Sequence, residues 1–123
     1  MDKKTFKEMN YLPENLKFEE GVAFMNDFSL LDIASEHGTP LYVYDWENIK
    51  NNISEFTTSF GNETLYRYAA KAFICKKLVT LLDENNWGVD VVSGGEMATV
   101  LSAVGTLENT LFNGTYKLSL IHI

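Results

Sequence analysis

The order of predicted strands and helices from Leu65 onward is the feature that most constrains the fold of this chain. Apolar and aromatic residues alternate with others in Leu65–Ala72, and β-branched residues dominate Val89–Val92, so both segments are predicted strands. Helical periodicity lies between them and again before Thr110–Phe112, a third predicted strand. Strands that alternate with helices at intervals of about twenty residues are typical of βαβ units with right-handed crossovers. The sequence therefore predicts an α/β fold with a parallel sheet.

Apolar spacing and terminal residues predict four helices. They begin after Ser29, after Asp45, at about Cys75 and after Ser93-Gly94-Gly95, and they end at Gly38, Gly61, Asn85 and Gly105. Hydroxyl or carboxylate residues at the starts and glycines at the ends are typical of helix termini. A further strand is predicted at Leu41–Tyr44. Two short strands, Leu16–Phe18 and Val22–Phe24, are predicted around the Glu19–Gly21 turn.

The length of the chain limits how complete this fold can be. With 123 residues, of which 46% are hydrophobic, the chain can form one small domain with a core. A closed (β/α)8 barrel needs about 250 residues. The sequence therefore predicts either an open α/β domain or the front part of something longer.

Charge and cysteine content argue against several classes of partner. A net charge of −7 disfavours nucleic acid and anionic membrane surfaces, and no apolar run has membrane-spanning length. Cys75 is the only cysteine, which excludes an internal disulfide and fits a reducing compartment. His37 and His122 are far apart, so no metal site is predicted. With no secretion signal at the start, a cytoplasmic protein is expected.

Chemically reactive side chains follow the ends of the predicted strands. Because reactive groups of parallel α/β proteins collect at the carboxyl ends of strands, we expect them on one rim. The residues expected there are Lys71, Asp90, Ser93, Glu96 and Asn113. A lysine buried at such a rim can form a Schiff base with an aldehyde. The alternative is a lysine whose stem packs on the sheet while its ammonium reaches water.

The segment Ser93–Glu96 allows two interpretations. Gly94-Gly95 before a helix can form an anion-binding turn, or it can serve only as a turn. Glu96 can face the lysine, or it can simply complement the helix dipole. The coincidence of three polar strand ends favours a site over the structural interpretation.

Four motifs, in one order and spacing, resemble a known family. They are Gly38–Asp45, Tyr68–Ala72, Asp90–Glu96 and Phe112–Gly114. Together they are similar to the amino-terminal part of the diaminopimelate decarboxylases, pyridoxal-phosphate enzymes of the alanine-racemase-like barrel group. The resemblance covers about Leu30 to Lys117. Its Ser-Gly-Gly-Glu motif resembles this branch more than the ornithine or arginine decarboxylases, which share the lysine strand.

The resemblance implies a cofactor, a reaction and a set of residues. Pyridoxal 5'-phosphate would be attached to Lys71 as an internal aldimine, with Asp90 and Ser93 beside it in the cofactor pocket. The reaction would be decarboxylation of an amino-acid substrate, meso-diaminopimelate, to L-lysine. Full-length relatives would be homodimers with active sites at the subunit interface. The implied fold is α/β, a partial (β/α)8 TIM-like barrel of the first two to three βα units.

The resemblance also implies that the chain is incomplete. Residues 1–38 would form an N-terminal segment and capping helix that belong with a missing β-domain, and residues 39–117 an incomplete barrel. Residues 118–123 depart from the family and are expected to be a non-native tail. The family's phosphate-binding loop, ring-stacking histidine and further cofactor partners would lie beyond Lys117, so the fragment is expected to be inactive. Phe73 stands where the family usually has asparagine.

Two alternative functions stay open at this point. One is another pyridoxal-phosphate barrel decarboxylase, of the ornithine or arginine type. The other is a small non-enzymatic α/β binding module that is complete at this length. Capture of pyridoxal phosphate at Lys71 distinguishes the enzyme lineage from the module.

Overall fold

The structure is a computed structural model that describes residue 13 and residues 15–115. The predicted non-native tail at residues 118–123 lies outside the described residues. The chain divides into two compact units, Met1–Trp46 and Glu47–Ile123.

The first unit contains a small antiparallel sheet. Strand β1 (Leu16–Glu19) pairs with β2 (Val22–Met25), and β2 pairs with β3 (Phe28–Ser29). The predicted strands at Leu16–Phe18 and Val22–Phe24 are therefore confirmed, and each is one residue longer than predicted. Strand β3 was not predicted, because two residues are too few to establish an alternating pattern.

Helix α1 (Leu30–His37) follows β3 directly. The Ser29 hydroxyl accepts a hydrogen bond from the backbone N–H of Asp32 at 3.2 Å, which confirms the predicted N-cap. The helix ends at Gly38, whose φ of +81° lies in the region that glycine adopts without steric cost.

The prediction of a strand at Leu41–Tyr44 is wrong. The segment joins neither of the sheets, and Tyr42 is 87% exposed. Alternating apolar residues give strand propensity, but a strand also needs a neighbour to pair with. The segment leads instead to Asp45, whose Oδ2 accepts hydrogen bonds from the side-chain amides of Asn15 at 2.6 Å and Asn26 at 2.8 Å.

The second unit alternates helices and strands, as predicted. Its elements are α2 (Trp46–Phe60), β4 (Arg67–Ala69), α3 (Lys76–Glu84), β5 (Gly88–Val91), α4 (Gly94–Val104) and β6 (Thr110–Phe112). The three strands form a parallel sheet in the order β4-β5-β6. Strand β4 is shorter than the predicted Leu65–Ala72, because the backbone turns directly after Ala69.

The core of the second unit lies between its sheet and helices α3 and α4. Val89 and Val91 are at most 4% exposed, whereas Asp90 between them belongs to the opposite face, since successive strand residues alternate. Leu111 is level with Asp90 in the ladder and is 50% exposed. The buried apolar residues described in this unit are Ile53, Ala70, Leu78, Val79, Leu82, Val89, Val91 and Val100.

An aromatic cluster anchors α2 at the amino ends of β4 and β5. The rings of Tyr66 and Trp87 stack at 4.8 Å and 11°, and Phe56 meets Trp87 edge-on at 6.1 Å. The Tyr66 hydroxyl donates to the Gly61 carbonyl at 2.7 Å, and the Trp87 indole N–H donates to the Thr57 hydroxyl at 3.3 Å. These contacts fix one edge of the sheet and leave its carboxyl edge for other groups.

Candidate functional site

Lys71 lies in a turn that begins where β4 ends. The Ala72 amide donates to the Ala69 carbonyl at 3.2 Å, which closes the turn around Ala70 and Lys71. The Ala70 amide donates to the Asp90 carbonyl at 2.9 Å, so the ladder with β5 extends to the residue just before the lysine. The turn therefore places Lys71 at the carboxyl edge of the sheet, as predicted.

The side chain of Lys71 is exposed. The expectation of a buried lysine is therefore wrong for this chain, because a residue in a turn beyond the strand is not covered by the helices that bury Val89 and Val91. Burial therefore does not distinguish the Lys71 amine from an ordinary exposed lysine amine. The feature that remains is its position at the carboxyl edge of the sheet, one residue after the backbone bond from Ala70 to Asp90.

Asp90 carries an unsatisfied buried oxygen. Its Oδ2 accepts a long hydrogen bond from the Asn113 side-chain amide at 3.5 Å, while its Oδ1 is buried and has no hydrogen-bond partner among the described residues. Leaving such a group unpaired costs about 1–3 kcal/mol, more when it is charged. Unpaired buried groups are rare in native proteins and point to a missing partner. A hydrogen-bond donor or a cation beside Asp90 would remove this cost.

Ser93 and Glu96 together cap the start of α4. The Ser93 hydroxyl accepts from the Glu96 amide at 3.2 Å, and Glu96 Oε2 accepts from the Val92 amide at 2.8 Å. The reciprocal bonds resemble a capping box. They confirm the helix-terminus interpretation of Glu96, and they give Ser93 a structural role in addition to the cofactor contact predicted for it. The cofactor contact stays a prediction.

Replacing Ser93 with alanine is expected to lower the free energy of unfolding by about 1 kcal/mol, because one amide of the first turn of α4 loses its acceptor. Urea denaturation measures this. Ser102→Ala is the control, since Ser102 lies in the same helix and its hydroxyl donates back to the Thr99 carbonyl, within the helix and not at its start. Equal stability of the two variants would contradict the capping role.

The segment after β6 continues the pairing with β5 beyond the end of strand β6. The Asn113 amide donates to the Val91 carbonyl at 2.8 Å, which continues the β5–β6 ladder. Gly114 is buried, and a Cβ built there would lie 2.5 Å from the Val92 carbonyl oxygen and 2.6 Å from Cζ of Phe112. The role of Gly114 was not predicted. The sequence feature that could have indicated this role is a glycine placed directly after the polar end of a strand.

Tyr68 is a second residue that sequence reasoning missed. It is half-buried in β4, and its hydroxyl donates to the Phe73 carbonyl at 2.9 Å, across the turn that carries Lys71. The only signal in the sequence is a tyrosine three residues before the lysine.

The structure thus brings together three predicted residues from three strand ends. Lys71 lies two residues after Ala69, the ladder partner of Asp90, and Asn113 contacts the Asp90 carboxylate. Ser93 and Glu96 lie at the adjoining start of α4 and are engaged in its cap.

Other features of the described residues lie elsewhere or are absent. A cavity of about 150 Å³ next to Trp87, Gly88 and Asn109 lies at the amino ends of β5 and β6, away from Lys71. Within residues 15–115, no group of three or more histidine, cysteine, aspartate or glutamate side chains could hold a metal ion. None of the helices in the described part of the chain combines the length and apolar character needed to cross a membrane.

The sequence of residues 46–120 matches the family described as "Pyridoxal-dependent decarboxylase, pyridoxal binding domain". Diaminopimelate decarboxylase of Mycobacterium leprae is 38% identical over 109 residues, which are 88% of this chain and 23% of that protein. Diaminopimelate decarboxylase of Bacillus subtilis is 38% identical over 90 residues, which are 71% of this chain and 20% of that protein.

Two crystal structures share the fold of the described chain. AQ1208 from Aquifex aeolicus superposes with a TM-score of 0.70 and 34% identity over 85% of this chain and 26% of its own. Diaminopimelate decarboxylase from M. jannaschii, in co-complex with L-lysine, superposes with a TM-score of 0.70 and 28% identity, over 89% of this chain and 27% of its own. The chain spans about a quarter of the length of these relatives.

Proposed function

This chain belongs to the pyridoxal-dependent decarboxylase family and carries part of its pyridoxal binding domain, and we propose from this that Lys71 is the attachment residue for pyridoxal phosphate. The fold is the corresponding part of a parallel β/α barrel. The observation that carries the proposal is the turn after β4, which sets a primary amine at the carboxyl edge of the sheet, one residue beyond the backbone bond from Ala70 to Asp90.

The residues at this edge fit the cofactor. When bound, pyridoxal phosphate supplies an aldehyde and a ring that takes up the electrons left by departing carbon dioxide. Lys71 supplies the amine that condenses with an aldehyde, with loss of one water. Asp90, on the neighbouring strand β5, supplies a carboxylate with a free acceptor oxygen. Ser93 lies at the same edge and is proposed as a further polar contact.

The proposed substrate is meso-diaminopimelate, and the proposed product is L-lysine. Two observations support this choice. The relatives from Mycobacterium leprae and Bacillus subtilis are both named diaminopimelate decarboxylase, and the M. jannaschii protein of that name was crystallised with L-lysine. We propose this as the activity of the whole protein to which these residues contribute. A homodimer and a cytoplasmic location stay predictions.

Incubation with pyridoxal phosphate, followed by borohydride reduction, tests cofactor attachment. Condensation joins the lysine nitrogen to the aldehyde carbon with release of water, and borohydride reduces the resulting double bond to a stable amine. Intact-mass analysis is expected to show one pyridoxyl group per chain. Pyridoxine phosphate, which lacks the aldehyde, is the control and should leave no mass increase. Equal, low incorporation from both compounds would contradict the proposal.

Asp90→Asn is expected to change stability and cofactor capture in opposite directions. The free energy of unfolding should rise by about 1 kcal/mol, because an unpaired neutral amide costs less to bury than an unpaired carboxylate. Capture by the Lys71 amine should fall severalfold, because the positively charged nitrogen that condensation produces loses the carboxylate on the neighbouring strand β5. Urea denaturation and mass analysis measure the two effects.

Asp83→Asn provides the matched control, because Asp83 is an exposed residue of α3 at the other edge of the sheet. It is expected to leave both the free energy of unfolding and the capture of pyridoxal phosphate unchanged. A less stable Asp90→Asn variant would mean that the carboxylate is already satisfied, and unchanged capture would remove Asp90 from the site.

A further inference from the structure

We propose that Tyr68 is a positioning residue for Lys71: its hydroxyl holds the turn that presents the lysine amine to the cofactor. The proposal rests on the function proposed for Lys71 and adds a residue that acts on that lysine only through the backbone.

The hydrogen bond of Tyr68 spans the whole turn. Tyr68 lies three residues before Lys71 and Phe73 two residues after it, and the phenol O–H donates to the Phe73 carbonyl at 2.9 Å. The contact therefore closes a loop of six residues around the lysine. Opening it would let the chain from Lys71 to Phe73 move away from β4.

Two further hydrogen bonds hold the strand side of the turn. The Ala70 amide donates to the Asp90 carbonyl, and the Ala72 amide donates to the Ala69 carbonyl. On the helix side, α3 begins after Cys75, which makes no side-chain capping bond. The Tyr68 hydroxyl thus adds a tether at the point where the turn passes into the approach to α3.

Tyr68 acts at a distance from the reacting amine. It is level with Val89 in the parallel ladder, so it belongs to the face of the sheet that the helices cover. Asp90 belongs to the opposite face. A phenol on the helix side holds the turn without entering the site, which makes Tyr68 a positioning residue and not a catalytic one.

Tyr68→Phe removes the hydroxyl and keeps the ring. Tyr66→Phe is the matched control, because Tyr66 lies two residues earlier and its hydroxyl makes a comparable bond, 2.7 Å to the Gly61 carbonyl, at the opposite edge of the sheet. Both variants lose a tyrosine hydroxyl that donates to backbone carbonyl oxygen, and only Tyr68→Phe loses the bond across the lysine turn.

Amide hydrogen exchange measured by NMR tests the turn without any cofactor. In Tyr68→Phe the Ala72 amide, which closes the turn, is expected to exchange about fivefold faster, the effect of losing one hydrogen bond. The Ala70 amide, held by Asp90, should change less than about twofold. Tyr66→Phe should leave the ratio of these two rates as it is in the parent chain. An unchanged ratio in Tyr68→Phe, or an equal change in both variants, would overturn the proposal.

Reductive labelling with pyridoxal phosphate tests whether the turn matters to the amine. Lys76 and Lys77, both exposed at the start of α3, are internal references. The labelling of Lys71 relative to these two lysines is expected to fall about threefold in Tyr68→Phe and to stay unchanged in Tyr66→Phe. Faster Ala72 exchange with unchanged relative labelling would overturn the positioning role.

The two readouts separate this proposal from the one it rests on. If the parent chain labels Lys71 no more than Lys76 and Lys77, the proposed function of Lys71 fails, and the positioning role fails with it. The hydrogen-exchange rate of the Ala72 amide then still shows whether the Tyr68 hydroxyl holds the turn. If the parent chain labels Lys71 selectively and only the Tyr68 effects are missing, the function stands and the positioning role alone is wrong.

Discussion

Lys71→Arg is expected to reduce capture of pyridoxal phosphate to the level of unselective labelling, a loss of tenfold or more by the chemistry of Schiff-base formation. Arginine keeps the positive charge and much of the length of the side chain. Its guanidinium stays protonated and does not condense with an aldehyde under these conditions. Because Lys71 is exposed in a turn, its replacement should change the free energy of unfolding by less than about 0.5 kcal/mol. Loss of capture with unchanged stability would identify a chemical role.

Lys76→Arg is the matched control for this experiment. Lys76 is exposed five residues further along the chain, at the first position of α3. The same substitution there should leave capture within about twofold of the parent, because the remaining amine at residue 71 is intact. Equal capture by Lys71→Arg and Lys76→Arg would contradict attachment at Lys71.

Gly114→Ala is expected to lower the free energy of unfolding by about 3 kcal/mol. The added methyl group would lie 2.5 Å from the Val92 carbonyl oxygen and 2.6 Å from Cζ of Phe112. The first of these is backbone of the segment that follows β5, so relief requires the β5 and β6 ends to separate. That movement would also pull Asn113 away from Asp90. Urea denaturation followed by circular dichroism measures the loss.

Gly95→Ala tests whether the effect at Gly114 comes from space or simply from removing a glycine. Apart from its chain neighbours and the nearby backbone of its own helix, no atom of the described residues lies within 4 Å of a Cβ built at Gly95, which is in the first turn of α4. Alanine there should stabilise the unit by up to about 1 kcal/mol, because alanine favours a helix over glycine. If Gly114→Ala were as stable as Gly95→Ala, the close approach of the β5 and β6 ends would be wrong.

The order of strands and helices in the second unit was predictable because it is encoded locally. Helix α4 illustrates this: Ser93 and Glu96 form its cap, and Gly105, with φ of +78°, ends it. These signals depend on residues three or four positions apart. Parallel pairing then follows from the connections, and it places the ends of β4, β5 and β6 at one edge.

Features that depend on non-local neighbours were not predictable. The Leu41–Tyr44 segment has the composition of a strand, but it joins no sheet in the described structure. The exposure of Lys71 depends on what covers the turn, and alternation along β4 does not encode that. The tether from Tyr68 to Phe73 requires the turn at Ala69 to bring a carbonyl back to the phenol.

The candidate site was predictable as a group of residues but not in its electrostatics. Strand ends identify Lys71, Asp90 and Asn113 as neighbours, and the structure confirms the Asp90–Asn113 contact. Only the three-dimensional structure reveals that one oxygen of Asp90 is buried without a partner in the part of the chain described. Sites that hold a ligand are where such unsatisfied groups are tolerated.

Peptide mapping of the parent chain after reduction with pyridoxal phosphate is the most direct measurement of where the cofactor attaches. If Lys71 is the attachment residue, its pyridoxyl labelling is expected to be at least about fivefold higher than that of Lys76 or Lys77. These two lysines have the same chemistry and are also exposed. A label distributed evenly over the three lysines would contradict attachment at Lys71.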